Sequence, residues 1–237
     1  MRLDKYLVEE GYYESRNRAH DAIKEGKVTV DGKKPKASAK VDENTVVDVI
    51  NEKFYVSRAG RKLDGFLSEH SMDFKEKCAL DIGSSTGGFA QIVLEQGVRS
   101  LDCVDVGRDQ LHISLRKNEI LSLYEETDIR DFQSDTAFEM ITCDVSFISI
   151  LQIIENIDKL AEKGTDIVIL YKPQFEVGKD VKRDSKGVVL DLDAIARRKE
   201  TFEAQAKKMA WEETYQSESK IAGKEGNQEY LYHFVKK

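Results

Sequence analysis

The residues with the most chemical promise surround a glycine-rich turn. In Asp81-Ile-Gly-Ser-Ser-Thr-Gly-Gly-Phe89 a carboxylate ends an apolar run, and glycines follow at 83, 87 and 88. Glycine lets a backbone turn tightly and approach a ligand closely. The spacing is not GxGxxG, because Ser85 stands where the second glycine would be, and no GK[ST] follows as it does in a P-loop. That disfavours NAD(P) and ATP, and an acid ahead of such a loop suits a cationic ligand better than a pyrophosphate. Asp105 ends the next apolar run, where a carboxylate can take both hydroxyls of a ribose. Asp128 follows the run after that and could accept from an adenine amino group. One nucleoside carrying a positive charge, S-adenosylmethionine, suits all three acids. The competing reading is a glycine-rich turn that holds no ligand.

Such residues need strand ends to hold them. Residues 51–57 read as a connector, and Ser57 as the cap of a helix over 58–70 with Leu63, Phe66 and Leu67 on one face. Strands are then expected at 78–82, 100–106, 121–125, 138–143 and 166–171. Helices are expected at 88–96, 110–118, 149–163 and 191–210, and two last strands at 211–219 and 229–235. Strands alternating with helices of this length predict an α/β fold with a mostly parallel, doubly wound sheet. Ligands of such sheets bind at the carboxyl ends of the strands, near the switch point. Pro173 would stiffen the exit of the 166–171 strand. The polar stretch 176–187 reads as a mobile loop, either clasping RNA backbone or merely solvated. Phe147 reads first as a core residue and second as a platform for an extruded base.

The first 50 residues form a different unit. Leu3, Tyr6 and Leu7 are spaced as on a helix that stops at Gly11, and Ser15 caps a second helix that buries Ala19, Ala22 and Ile23. Val28-Thr-Val30 runs into Asp31-Gly32, a hairpin signal, and a last strand is expected at 45–50. Residues 1–40 hold ten Lys/Arg and seven Asp/Glu, a basic head on a chain whose net charge is −7. Such asymmetry points to an anion-binding module.

Two resemblances follow from these motifs. RLDKYL, the SR at the second helix and GKVTVDG with lysines after it resemble the alpha-L RNA-binding domain. The resemblance implies that Arg2, Ser15, Arg16, Lys33, Lys34 and Lys36 meet RNA phosphate, with Lys5, Arg18 and Arg58 on the same interface. SRAGRKL, DIGSSTGGF, VDVGRDQL, CDVSFISI and LYKPQFEVG resemble the TlyA (hemolysin A) family, which joins that domain to an FtsJ-type methyltransferase. This implies a seven-stranded Rossmann-like methyltransferase sheet over 57–237 after an RNA-binding domain and linker over 1–56. It also implies S-adenosylmethionine as donor and 2'-O-methylation of a cytidine in ribosomal RNA, the large subunit being favoured by the shorter type of chain. Carried over by motif, the family's Lys-Asp-Lys-Glu set falls on Lys62, Asp144, Lys172 and Glu229. The cofactor contacts would be Asp81, Gly83, Ser84, Ser85, Thr86, Gly87, Gly88, Phe89, Asp105, Asp128 and Asp144. One departure stands out: the family reads TGGFTD where this chain has Ala90 and Gln91.

Composition narrows the field further. With 34% charged residues and no apolar run near the ~20 residues of a span, no membrane insertion is expected. The N-terminus lacks the apolar stretch of a secretory signal. Three cysteines without CxxC spacing and four histidines far apart in the chain imply neither disulfides nor a metal site. The expectation is a cytoplasmic, monomeric enzyme acting on ribosomal RNA or a ribosomal subunit. Two alternatives are a non-catalytic RNA-binding assembly factor, which would show no saturable cofactor binding, and a hemolysin-like membrane-active protein, which would leak liposomes.

Overall fold

The computed structural model describes residues 1–10, 12–13, 15–42, 45–50 and 53–237. Gly11, the expected stop of the first helix, lies outside them. The chain divides into two compact units, Met1–Phe54 and Tyr55–Lys237.

The first unit holds α1 (Leu3–Glu9), α2 (Arg16–Lys24) and an antiparallel pair, β1 (Val28–Val30) and β2 (Val47–Val49). Leu3, Leu7, Ala19, Ile23, Val28 and Val41 form its core. The Ser15 hydroxyl accepts from the Arg18 amide and so caps α2. Asp31 and Gly32 both have positive φ, and Val30 and Lys33 exchange backbone bonds across them, as a two-residue turn requires. The chain after this turn leaves the ribbon, and the partner of β1 comes from 47–49 instead.

The second unit begins with α3 (Arg58–Glu69). It continues with β3 (Cys78–Ile82), α4 (Gly88–Glu95), β4 (Ser100–Val104), α5 (Ile113–Arg116), β5 (Leu121–Tyr124) and β6 (Phe138–Cys143). It ends with α6 (Ile154–Leu160), β7 (Ala161–Tyr171), α7 (Pro173–Glu176), α8 (Leu192–Lys208), β8 (Trp211–Glu218) and β9 (Tyr230–Lys236). Seven strands form one sheet in the order β5-β4-β3-β6-β7-β9-β8, parallel except for β9, which is antiparallel to both its neighbours. The chain reverses its winding between β3 and β6, which places the switch point between Ile82 and Cys143. Apolar layers cover both sheet faces, with Phe66, Phe89 and Leu101 in one cluster and Ile141, Ile169, Phe202 and Tyr232 in the other.

Two expected elements differ, and a third element is new. The helix expected at 110–118 is a single turn, because the His112 ring accepts from the Ser114 amide at its start and Asn118 Oδ1 takes the Ile120 amide at its end. The helix expected at 149–163 is a 3-10 turn at Ile150–Gln152 followed by α6. Ala161 already pairs with Phe138, and Gly164, at φ 92°, lies in the irregular stretch before Asp166 pairs with Met140. Apolar periodicity marks a buried face but not where a strand takes over from a helix. The third element, α7, was not foreseen; Pro173 occupies its first turn, where a missing N–H costs nothing.

The starts of α3 and α4 meet through glycine. A Cβ on Gly88 would lie 2.2 Å from Ser57 Oγ and 2.8 Å from the Gly60 nitrogen, and one on Gly60 would lie 2.9 Å from the Gly88 oxygen. Ser57 occupies the cap position of α3, yet its hydroxyl makes no capping bond; it is buried against this contact. Gly88→Ala is expected to lower the thermal midpoint by roughly 5 °C through overpacking. Gly65→Ala, where a Cβ meets only Lys220 Cδ at 3.5 Å, should leave it unchanged or raise it slightly. Equal midpoints for the two variants in a thermal melt would contradict this packing.

Candidate active site

The glycine turn lies at the switch point. Asp81 is fully buried, and its Oδ1 accepts from the Thr142 hydroxyl on β6 at 2.7 Å. Its Oδ2 is buried and finds no hydrogen-bond partner among the described residues. Burial pushes this carboxyl up to about 7, aided by the charges of Asp144 and Asp105 and opposed by the Thr142 bond. Gly83, at φ 77°, lies against β6's exit: a Cβ there would come 2.8 Å from the Asp144 oxygen. Gly87, at φ 92°, has Leu115 and Leu111 where a Cβ would go. Ser84 is buried, and its hydroxyl finds no partner among the described residues. Ser85 and Thr86 are exposed. Asp105 ends β4 and accepts from the Ser85 amide at 2.8 Å and the Gly107 amide at 2.6 Å, so the loop is drawn toward the second strand end.

A cradle with no room for side chains, an orphaned acidic oxygen at its floor and an acid at the neighbouring strand end fit a cationic nucleoside such as S-adenosylmethionine. Two expected contacts have partners of their own. Phe89 packs in the core beside α3, since the first turn of α4 points it inward. Asp128 accepts from the Arg130 guanidinium with both carboxylate oxygens, at 2.9 and 2.5 Å. Gln91, at the departure from the family pattern, is buried and accepts from the Val56 amide at 2.8 Å, tying the entry of this unit to α4.

The four other candidates form two ion pairs. Lys172 Nζ lies 2.6 Å from Asp144 Oδ1, and Lys62 Nζ lies 2.5 Å from Glu229 Oε2. All four side chains are largely buried, with 3–13% of their surface exposed. Topology explains the meeting. Asp144 leaves β6 and Lys172 leaves β7, adjacent parallel strands. Tyr171 pairs with Tyr230 across the antiparallel β7–β9 ladder, so the next step of that register sets Lys172 against Glu229. Two residues in this cluster were not foreseen. Lys172 donates to Ser146 Oγ at 2.9 Å, and Gln174 Nε2 donates to Glu229 Oε1 at 2.8 Å. Both stand two residues beyond a singled-out residue, which was the only signal available. Among the described residues no cluster could hold a metal ion.

Phe147 is no core residue. It is 91% exposed, has φ 66°, and its ring lies 5.1 Å from that of Phe175. A left-handed backbone at a bulky residue is costly and is seen mostly where function requires it. Within 176–187, Arg183 Nη2 donates to the Gln174 and Gly178 oxygens, and Asp184 Oδ1 takes the Lys186 amide. The histidines, distant in sequence, are not all distant in space: His70 Nε2 lies 2.8 Å from His233 Nδ1, and His233 Nε2 lies 2.8 Å from Asp166.

In the first unit, buried Asp4 gathers Arg2 at 3.0 Å and Arg16 at 2.7 Å, and these two bonds hold its carboxyl well below the usual range. Lys5 pairs with Glu9, and Lys34 Nζ caps the Lys24 oxygen. Arg18, Lys33 and Lys36 are exposed. Arg58 belongs to the second unit, where it donates to the Ala222 oxygen.

The Asp81 environment sets a pH dependence. Its carboxyl titrates near 7 when folded and at the ordinary carboxylate value when unfolded, so between these values the folded chain holds the extra proton. Stability contributed by this group is therefore present at low pH, falls as pH rises through that window, and is flat above it. Asp81→Asn, without ligand, should melt several degrees higher than the parent at about pH 8 and much closer to it at about pH 5. A difference independent of pH would contradict the assignment.

Comparison with known proteins agrees with this arrangement. The FtsJ-like methyltransferase model matches residues 55–236, and the S4 domain model matches residues 1–47. The 23S rRNA (cytidine-2'-O)-methyltransferase TlyA of Campylobacter jejuni is 44% identical, with all of both chains covered. The 16S/23S rRNA (cytidine-2'-O)-methyltransferase TlyA of Mycobacterium tuberculosis is 34% identical over 97% of this chain and 88% of its own. A solved candidate hemolysin from Streptococcus thermophilus superposes with a TM-score of 0.73 at 30% identity, over 100% of this chain and 88% of that one. With the switch-point cradle, the paired lysines and an S4-like N-terminal unit in one chain, the protein belongs to the TlyA family, an S4 domain joined to an FtsJ-like methyltransferase.

Proposed function

We propose that this protein methylates the ribose 2'-hydroxyl of a cytidine in ribosomal RNA, of the large subunit, with S-adenosylmethionine as donor, and that it works as a monomer. The observation that carries this reading is the buried Lys172–Asp144 pair, 2.6 Å apart, on the strand ends beside the Gly83 turn. The relatives whose names specify cytidine-2'-O-methylation supply the substrate class.

When bound, the cofactor supplies an electrophilic methyl on a sulfonium. Asp105 would take its ribose hydroxyls, the glycine turn would admit it close to the backbone, and Asp81 and Ser84 would meet its charged end. A ribose hydroxyl is a weak nucleophile, so the enzyme must align it and accept its proton. Lys172, as the neutral amine, takes that proton as the oxygen gains the methyl and the sulfonium leaves as a thioether, and the ammonium so formed is the one that pairs with Asp144. Asp144 fixes the Lys172 side chain, with Ser146 as its second partner. Lys62, held by Glu229, adds a second cation that favours the developing oxyanion. Phe147 supplies a free aromatic face outside this site for the extruded cytosine, and the basic groups of the first unit bind RNA backbone.

Lys172→Ala should cut single-turnover methyl transfer to large-subunit RNA by about 10²-fold or more, while S-adenosylmethionine binding by calorimetry stays within a few-fold. Undiminished transfer would overturn the reading, and absence of saturable cofactor binding in the parent would favour a non-catalytic RNA-binding factor. Phe147→Ala should weaken productive RNA binding by about 10-fold, with cofactor affinity unchanged. An unaltered RNA KM and rate would remove Phe147 from the target site.

A further inference from the structure

The short helix α7 sends three successive side chains to three parts of the site. Gln174 Nε2 donates to Glu229 Oε1 at 2.8 Å. Phe175 lies against the exposed Phe147 ring. Glu176 accepts from the Ser149 hydroxyl at 2.5 Å and the Ile150 amide at 2.8 Å, so it pins the segment that follows Asp144 and Phe147. Of these, Gln174 is the one that touches an ion pair.

We propose that Gln174 is a positioning residue for the Lys62–Glu229 pair; this rests on the catalytic reading above. Glu229 has two carboxylate oxygens: Oε2 faces Lys62 and Oε1 faces Gln174. A carboxylate held at one oxygen can swing, and its lysine swings with it. A donor on the second oxygen fixes the plane of the carboxylate and, through it, the direction of the Lys62 ammonium. The carrier of that donor is itself fixed, since the Gln174 backbone oxygen accepts from Arg183 Nη2 at 2.9 Å. The other end of the amide argues against a purely structural role. Gln174 Oε1 is buried and finds no hydrogen-bond partner among the described residues. An amide kept for stability satisfies both its ends, because a buried orphan acceptor is destabilising. Here only the end that serves Glu229 is engaged.

The test uses the full chain, large-subunit RNA lacking the modification, and single-turnover methyl transfer from about pH 6 to about pH 9. Two variants keep the side chain's shape. Gln174→Met removes the donor. Gln174→Glu replaces it by a carboxyl that donates only while it shares a proton with Glu229. Methionine is expected to lower the rate about 10- to 100-fold at every pH, as loss of a hydrogen bond to a charged group would, with RNA KM, cofactor affinity and melting midpoint near those of the parent. Glutamate is expected to restore much of the rate at the acid end and lose it as pH rises, a profile that a packing role would not produce. Glu229→Gln is run beside them. If it is inactive while both Gln174 variants keep the parent's rate and profile, the positioning role falls and the catalytic reading stands. If the Gln174 variants lose rate only in step with melting midpoint, with the pH profile unmoved, the positioning role also falls. If Glu229→Gln turns over like the parent, the catalytic reading falls and this inference with it.

Discussion

The structure of the site depends on bringing two lysines and two acids out of water, three of them at adjoining strand ends and Lys62 on α3. Burying an ion is costly, and the mutual attraction of a pair repays that cost only when the geometry is tight and the remaining polar atoms are bonded. Lys172–Asp144 and Lys62–Glu229 meet the first condition with separations of 2.6 and 2.5 Å. Ser146 and Gln174 supply further bonds. Replacing such pairs with apolar side chains would often stabilise a protein, so their presence is better accounted for by chemistry than by folding. The antiparallel last strand is what makes the arrangement possible: a parallel neighbour would carry the opposite end of its strand to Lys172, and Glu229 would be a sheet length away.

Around this centre each strand end carries one of the candidate groups. β3 ends in the turn whose glycines leave space against Asp144 and Leu115, β4 in the Asp105 carboxylate, β6 in Asp144, β7 in Lys172. The glycine contact between α3 and α4 brings the helix that carries Lys62 close to the same turn. In the first unit the same logic of a buried acid recurs on a smaller scale, where Asp4 holds two guanidinium groups side by side. Fixing cations at a set spacing suits a phosphate backbone better than the same charges on free side chains.

Much of this was legible before any coordinates. Alternation of apolar strands and amphipathic helices specifies a doubly wound sheet, and the α/β rule then locates the site at the carboxyl ends of the strands. The Asp31-Gly32 turn, the Ser15 cap and the Gly83 and Gly87 positions could be read from residue type alone, because few residues tolerate those conformations. What escaped was set by tertiary contact. Nothing local distinguishes a phenylalanine that packs, like Phe89, from one that projects, like Phe147; the difference is a single positive φ and the exit direction of β6. Asp128 reads like Asp105, but its carboxylate is bonded by the Arg130 guanidinium where that of Asp105 is bonded by loop amides. His70 and His233 are far apart in sequence, and only the packing of α3 on β9 joins them. Nothing in the RLD triplet marks Asp4 as a buried acid that organises two of the cations credited with binding RNA.

The central claim is that Lys172 acts on the hydroxyl because Asp144 holds it there. Asp144→Asn preserves shape and removes the charge that fixes Lys172, so the most direct measurement is its single-turnover methyl-transfer rate at saturating S-adenosylmethionine. The account predicts a fall of about 10²-fold or more, with cofactor affinity retained within a few-fold. A rate equal to that of the parent would contradict it.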